Sequence, residues 1–211
     1  MLLLLDADQC QLVLIDYQTR LMPVIHDGER VTRKARLLAR IAHLMGVPVW
    51  ATTQRAAALG PFVPDLASLV TQPLDKVAFN ACAEGLLQRL QPPVARTPGH
   101  GKNARSLPKH LRQSAPAEEP PEMTRPVIVL AGVEAHVCLL QTALSLVEQE
   151  LEVWVVSDAS GSRDVRDSDA AFDRLAGNGV ELVTTEMAAF EWLGDAEHPD
   201  FSGALTLIKA G

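Results

Sequence analysis

The stretch Val127-Ile-Val-Leu-Ala-Gly132 most constrains what this chain can fold into. It is a short apolar run with no polar alternation, so a strand made from it is buried on both faces, as in a parallel sheet covered by helices. Five residues intervene between Gly132 and Cys138. Beyond them Leu140, Ala143, Leu144 and Val147 fall at the spacing of one helix face. The local reading is a buried parallel strand, a tight turn and a helix that starts near Cys138. A thiol at that position lies beside unpaired N–H groups and the positive end of the helix dipole, a setting that lowers a thiol pKa. Position alone leaves two readings open, a reactive nucleophile or a small buried hydrophobe.

The remaining chain repeats the alternation. Gln11–Ile15 is a first buried strand with Asp16 at its carboxyl end. Val31, Ala35, Leu38, Ile41 and Met45 keep helical spacing and Gly46 stops that helix. Val47–Thr52 is a second strand, with Pro48 at its beginning. Leu74–Phe79 is a short third strand carrying Lys76, followed by a helix over Ala81–Leu90. Leu151–Val156 and Val180–Thr184 read as the fifth and sixth strands, with helices over Val165–Leu175 and Glu186–Leu193 and a Gly- and Pro-punctuated tail. This alternation predicts an α/β fold of three layers, a doubly wound sheet of six mostly parallel strands in the order 3-2-1-4-5-6.

The 211 residues, 47% of them hydrophobic, suit one domain spanning 1–211. Residues 92–125 interrupt the alternation with 7 of the chain's 14 prolines and six Lys/Arg against three Glu. That composition makes a Pro-rich, basic insertion, either a solvated excursion or a lid or subunit-contact arm. A net charge of −7 argues against a nucleic-acid partner, which needs clustered cations. Three cysteines form no disulfide framework and no zinc spacing, which points to a reducing cytoplasm. Leu2–Leu5 is followed at once by Asp6 and Asp8, so no signal peptide or membrane span is expected.

In the predicted strand order, strands 1 and 4 are neighbours where the winding reverses, and ligands bind beyond the carboxyl ends of strands at that point. Asp16, Lys76 and Cys138 therefore converge on one mouth. A thiolate attacks a carbonyl carbon, Asp16 takes and returns the proton, and Lys76 offsets the carboxylate charge and supports the sulfur. Backbone N–H groups of Glu134 and Cys138 are placed to stabilise an oxyanion. Each residue alone has a plain alternative, a turn-forming Asp, a solvated Lys and a buried Cys.

Ile15-Asp-Tyr-Gln18, Lys76 in Asp-Lys-Val-Ala-Phe, and Ala131-Gly-Val-Glu-Ala-His-Val-Cys138 with Thr142-Ala143 resemble the isochorismatase-like cysteine hydrolases. The resemblance covers most of the chain and includes Val155–Gly161 and Arg163. It implies a catalytic triad of Asp16, Lys76 and Cys138, separated by 60 and 62 residues. It also implies a cis peptide between Val133 and Glu134 that turns the oxyanion donors inward, and self-association into a homo-oligomer. Nicotinamidases of that family carry an Asp-x-His metal motif after the second strand; here the place reads Thr52-Thr-Gln54-Arg55, so no metal and no cofactor is expected. With Cys138 present, the expected activity is hydrolysis of a small amide-type C–N bond through a thioester, on a small-molecule substrate. Gln18, Gln54, Phe62 and His136 are the candidates for substrate contact. His136, two residues before Cys138, is read as a supporting turn residue because Asp16 already fills the base position. The rival readings are a catalytically silent oligomeric scaffold and a thiol redox-sensing protein on the same fold.

Overall fold

The computed structural model describes residues 3–90 and 125–211. The proline-rich insertion expected at 92–125 lies, Arg125 apart, outside the described residues. Six parallel strands form one sheet in the order β3-β2-β1-β4-β5-β6, as the sequence predicts. They are β1 (Cys10–Ile15), β2 (Val49–Gln54), β3 (Leu74–Lys76), β4 (Val127–Gly132), β5 (Glu152–Val156) and β6 (Glu181–Val183). Every residue of β1 and of β4 is buried, which is why neither shows polar alternation.

Helices cover both faces. Leu12, Leu14, Val129, Ala131, Trp154 and Val156 point to one side, beneath α1 (Gly28–Leu44) and α7 (Thr185–Leu193). Val13, Ile15, Ile128, Leu130, Val153 and Val155 point to the other, beneath α5 (Leu140–Glu148) and α6 (Val165–Ala176). On α1 the apolar stripe Val31, Ala35, Leu38, Ile41 and Ala42 is buried. Each such fully buried aliphatic side chain contributes about 1.5–3 kcal/mol for the larger members, so these two layers drive the assembly. The remaining helices are the short α2 (Ala56–Leu59), α3 (Pro64–Ala67) and α4 (Leu86–Leu90), and α8 (Phe201–Ala210) at the end of the described chain.

Most boundaries move by a residue or two from the sequence reading, and four bear on the site or its frame. β2 begins at Val49, after Pro48, and runs on to Gln54. β3 stops at Lys76, three residues early, because the Glu84 carboxylate accepts the Val77 and Ala78 N–H groups that would have continued a ladder. The helix read over Ala81–Leu90 breaks at Gly85, whose φ of 106° is left-handed, into a 3-10 turn Ala81–Glu84 and α4. The helix expected to start near Cys138 starts at Leu140; Cys138 itself sits in a π-helical turn, Ala135–Leu139. The tail, read as irregular, holds α8, with Ala204 buried.

One close approach fixes the centre of the sheet. Gly132 pairs with Ile15 in the β1–β4 register, and a Cβ at Gly132 would stand 2.5 Å from Ile15 Cβ and 2.6 Å from Ile15 O. Only glycine allows β1 and β4 to end side by side here. Those two strand ends carry Asp16 and the turn to Cys138.

Candidate active site

Asp16 follows β1 directly, in the left-handed region at φ 57°. An aspartate tolerates that conformation better than most residues. Its N–H donates to Thr52 O on β2, at 3.1 Å. Its carboxylate is fully buried and held at both ends. Thr52 Oγ1 donates to Asp16 Oδ1 at 2.7 Å, and Lys76 Nζ donates to Asp16 Oδ2 at 2.7 Å. The Lys76 and Asp16 side chains both show 0% exposure, so this ion pair is sealed from bulk water. The strand register explains the meeting. Ile15 lies beside Thr52, and Gln54 lies beside Lys76. Thr52 and Gln54 are two apart on one strand and share a face.

Gln54 completes the link to the sulfur. Its Oε1 accepts from Lys76 Nζ at 2.7 Å and lies 4.0 Å from Cys138 Sγ. Cys138 is 6% exposed. Burial, first, and the neighbouring Asp16 carboxylate, second, push its thiol up to about 12, with the Lys76 ammonium pulling the other way. This reverses the expectation of a lowered pKa. The sulfur arrives inside the π-helical turn, in the buried layer on the α5 side of the sheet, rather than at an exposed helix N-terminus. Desolvation outweighs the dipole there.

The other residues singled out from sequence sit as follows. The Val133–Glu134 peptide is cis. Glu134 Oε2 accepts from Arg163 N at 3.1 Å and Nε at 2.9 Å, tying the turn to the segment before α6. Gln18 is fully buried, and its amide is spent on backbone: Oε1 accepts from Gln54 N at 2.7 Å, and Nε2 donates to Gln54 O at 3.2 Å and Gly60 O at 2.7 Å. It straps β2 rather than offering a free polar group. Phe62 bridges to Gln18 and packs edge-on against Tyr17, ring centroids 6.0 Å apart. His136 turns away from the sulfur toward α6, with Nδ1 2.9 Å from Ser162 Oγ and Nε2 3.8 Å from Asp167 Oδ2. The structure thus gathers Asp16, Lys76, Cys138 and Gln54, with Gln18 one step behind and His136 outside. Sequence reasoning missed Thr52 as a partner of Asp16. The signal was present, because Thr52 shares strand parity with Gln54.

The place of the nicotinamidase metal motif does not fit a metal ion. Thr52 Oγ1 is bonded to Asp16, and the Gln54 amide is bonded to Lys76 and to Val77 O. Among the described residues, no group of three or more His, Cys, Asp or Glu side chains could hold one.

A six-stranded parallel sheet in this order, with an acid, an amine and a sulfur gathered beyond its strand ends, is the α/β fold of the isochorismatase class. The isochorismatase domain signature matches residues 10–187, and the chain belongs to the isochorismatase family. It is 33% identical over 198 residues to isochorismatase domain-containing protein 2 of Bos taurus, covering 94% of this chain and 82% of that protein. It is 32% identical to isochorismatase domain-containing protein 1 of Danio rerio, covering 92% of this chain and 59% of that one. The MAR1 ribonuclease of Caenorhabditis elegans superposes with a TM-score of 0.78 at 25% identity, over 97% of this chain and 92% of that one. The Escherichia coli YcaC product, described as an octameric hydrolase of unknown specificity, superposes at 0.74 and 22% identity, over 100% and 98%.

Proposed function

We propose that this chain is a metal-independent cysteine hydrolase that cleaves a small amide-type C–N bond through a thioester on Cys138. The observation that carries the reading is the buried Asp16–Lys76 pair at 2.7 Å with the Cys138 thiol beside it. A buried ion pair contributes little to stability compared with an apolar replacement, so a chemical role explains its presence better than a structural one. The raised thiol pKa dictates the order of events. Cys138 is not a standing thiolate, so its proton must leave as the sulfur attacks.

In the first half-reaction, Cys138 Sγ forms a bond to the carbonyl carbon while its proton passes to Asp16. That carboxylate has lone pairs left beyond those used by Thr52 and Lys76. The carbonyl electrons move onto oxygen, where the N–H groups of Glu134 and Cys138 donate. The carbonyl then re-forms, the C–N bond breaks, and the leaving nitrogen takes the proton from Asp16. In the second half-reaction, water attacks the thioester and gives a proton to Asp16. The C–S bond breaks, the acid leaves, and the proton returns to Cys138. Lys76 donates to Asp16 and offsets its charge.

The buried Asp16–Lys76 pair beside the sulfur supports hydrolysis over a redox sensor, and a trapped thioester separates the two. Self-association belongs to the same reading, since the Escherichia coli relative in fold is described as an octamer. A cytoplasmic setting accords with three free cysteines. Among the described residues no helix is long and apolar enough to cross a membrane. The test is a screen of small amides against the intact protein. Turnover of a confirmed substrate that disappears in Cys138→Ala supports the reading, and full turnover by that variant removes it.

A further inference from the structure

Gln54 Oε1 reaches both the ammonium of Lys76, at 2.7 Å, and the sulfur of Cys138, at 4.0 Å. The orientation of the amide follows from its partners. Nε2 lies 2.6 Å from Val77 O, a group that only accepts, and the other end lies 2.7 Å from Lys76 Nζ, a group that only donates. The carbonyl oxygen therefore faces Lys76 and Cys138. The backbone behind it is fixed as well. Gln54 N donates to Gln18 Oε1 at 2.7 Å, and Gln54 O accepts from Gln18 Nε2 at 3.2 Å. A buried side chain anchored at both backbone groups and at Nε2 does not swing aside.

The geometry points to Gln54 as a positioning residue whose Oε1, shared between the Lys76 ammonium and the Cys138 thiol, holds that thiol in its protonated form. Asp16 Oδ2 takes one of the three Lys76 N–H groups and Gln54 Oε1 another, which leaves a third within reach of the sulfur. The Gln54 oxygen presents its negative end to Cys138 Sγ at 4.0 Å, which disfavours charge on the sulfur. The charged groups that face the sulfur are Asp16, which raises its pKa after burial, and Lys76, which lowers it. His136, on the same turn, faces Ser162 and Asp167 instead. Without Gln54, the balance between Asp16 and Lys76 moves toward the thiolate. In this state the nucleophile is shielded from adventitious alkylation and oxidation, and Asp16 is left free to take the thiol proton during attack. The catalytic meaning rests on the proposed hydrolase reading, whereas the restraint on the thiol does not.

The experiment is the rate of iodoacetamide alkylation at Cys138, followed by peptide mapping to separate it from Cys10 and Cys82, on protein shown to be folded by circular dichroism. Gln54→Met removes the oxygen at similar volume and is expected to alkylate about tenfold faster at pH 8, one unit of pKa. Gln54→Glu keeps an oxygen on Lys76 and adds no donor toward the sulfur, so it is expected to alkylate at the wild-type rate or more slowly. Should Gln54→Met not fold, Gln54→Leu, which also lacks the oxygen, takes its place with the same expectation. A purely structural role moves both variants the same way. An oxygen-free variant at or below the wild-type rate, or a faster Gln54→Glu, overturns the inference. Because alkylation needs no substrate, its outcome is independent of whether Cys138→Ala abolishes turnover.

Discussion

Asp16 and Lys76 are tied to each other more tightly than to anything else in the site, and each alone is a liability. Lys76→Met leaves a carboxylate with 0% exposure and no counter-charge, which is expected to cost about 3–5 kcal/mol. Adding Asp16→Asn to that variant removes the stranded charge and is expected to recover a large part of the loss. Urea denaturation of the two single variants and the double one measures this coupling, and additive losses would mean that the two residues are not an energetic unit. The thiols give a second expectation. Burial raises Cys10 from 9.0 to about 11 and Cys138 from 9.0 to about 12. A folded state that holds protons more tightly than the unfolded chain has that contribution in full below the unfolded pKa of 9.0 and loses it as pH climbs toward about 11 and 12. The melting temperature is therefore expected to fall above pH 9, less steeply in Cys10→Ala/Cys138→Ala. An equal slope in wild type and double variant would contradict the assignment.

At the scale of elements, the site depends on how closely β1 and β4 end. Gly132→Ala places a methyl 2.5 Å from Ile15 Cβ, with Ile15 backbone oxygen at 2.6 Å, so a strand must move. The expected loss is about 1–3 kcal/mol, and activity is expected to fall further than stability because the shift separates Asp16 from the turn that carries Cys138. Thermal melts beside turnover on the same preparation check it; unchanged activity would mean that the strand ends are not the frame of the site. The elements themselves were largely legible. Mainly apolar runs marked β1, β4 and β5 because burial on both faces selects apolar residues, with Gln11 in β1 and Glu152 at the start of β5 as exceptions. The order of strands followed from connection rules, and with it the convergence of Asp16 and Lys76. What escaped was non-local. The end of β3 is set by Glu84, eight residues past Lys76, and the π-helical turn around Cys138 has no periodic signature. The thiol pKa was misread for the same reason, since a helix start visible in sequence says nothing about how deeply packing will bury it. Gln18 and Gln54 were recognised as polar groups near strand ends. Their assignment to each other and to Lys76 required the register.

At the scale of the whole molecule, the two covered faces leave few ways for the sheet to associate except through loops and helices. Size exclusion with light scattering is expected to give a mass that is a multiple of 22.8 kDa, and a strictly monomeric species at micromolar concentration would remove the oligomer from the proposal. The family, the sheet and the meeting of an acid, an amine and a sulfur beyond its strand ends could all be reached from the chain itself. The substrate could not, because the loops around the mouth carry specificity in side-chain geometry that no spacing encodes. The most direct measurement is acid quench of the enzyme during turnover of an amide found by screening, with intact-mass and peptide analysis. The account expects an acyl group of the substrate's mass on Cys138, absent in Cys138→Ala. Turnover with no acyl adduct on Cys138 at any quench time, together with an undiminished rate in the alanine variant, would contradict it.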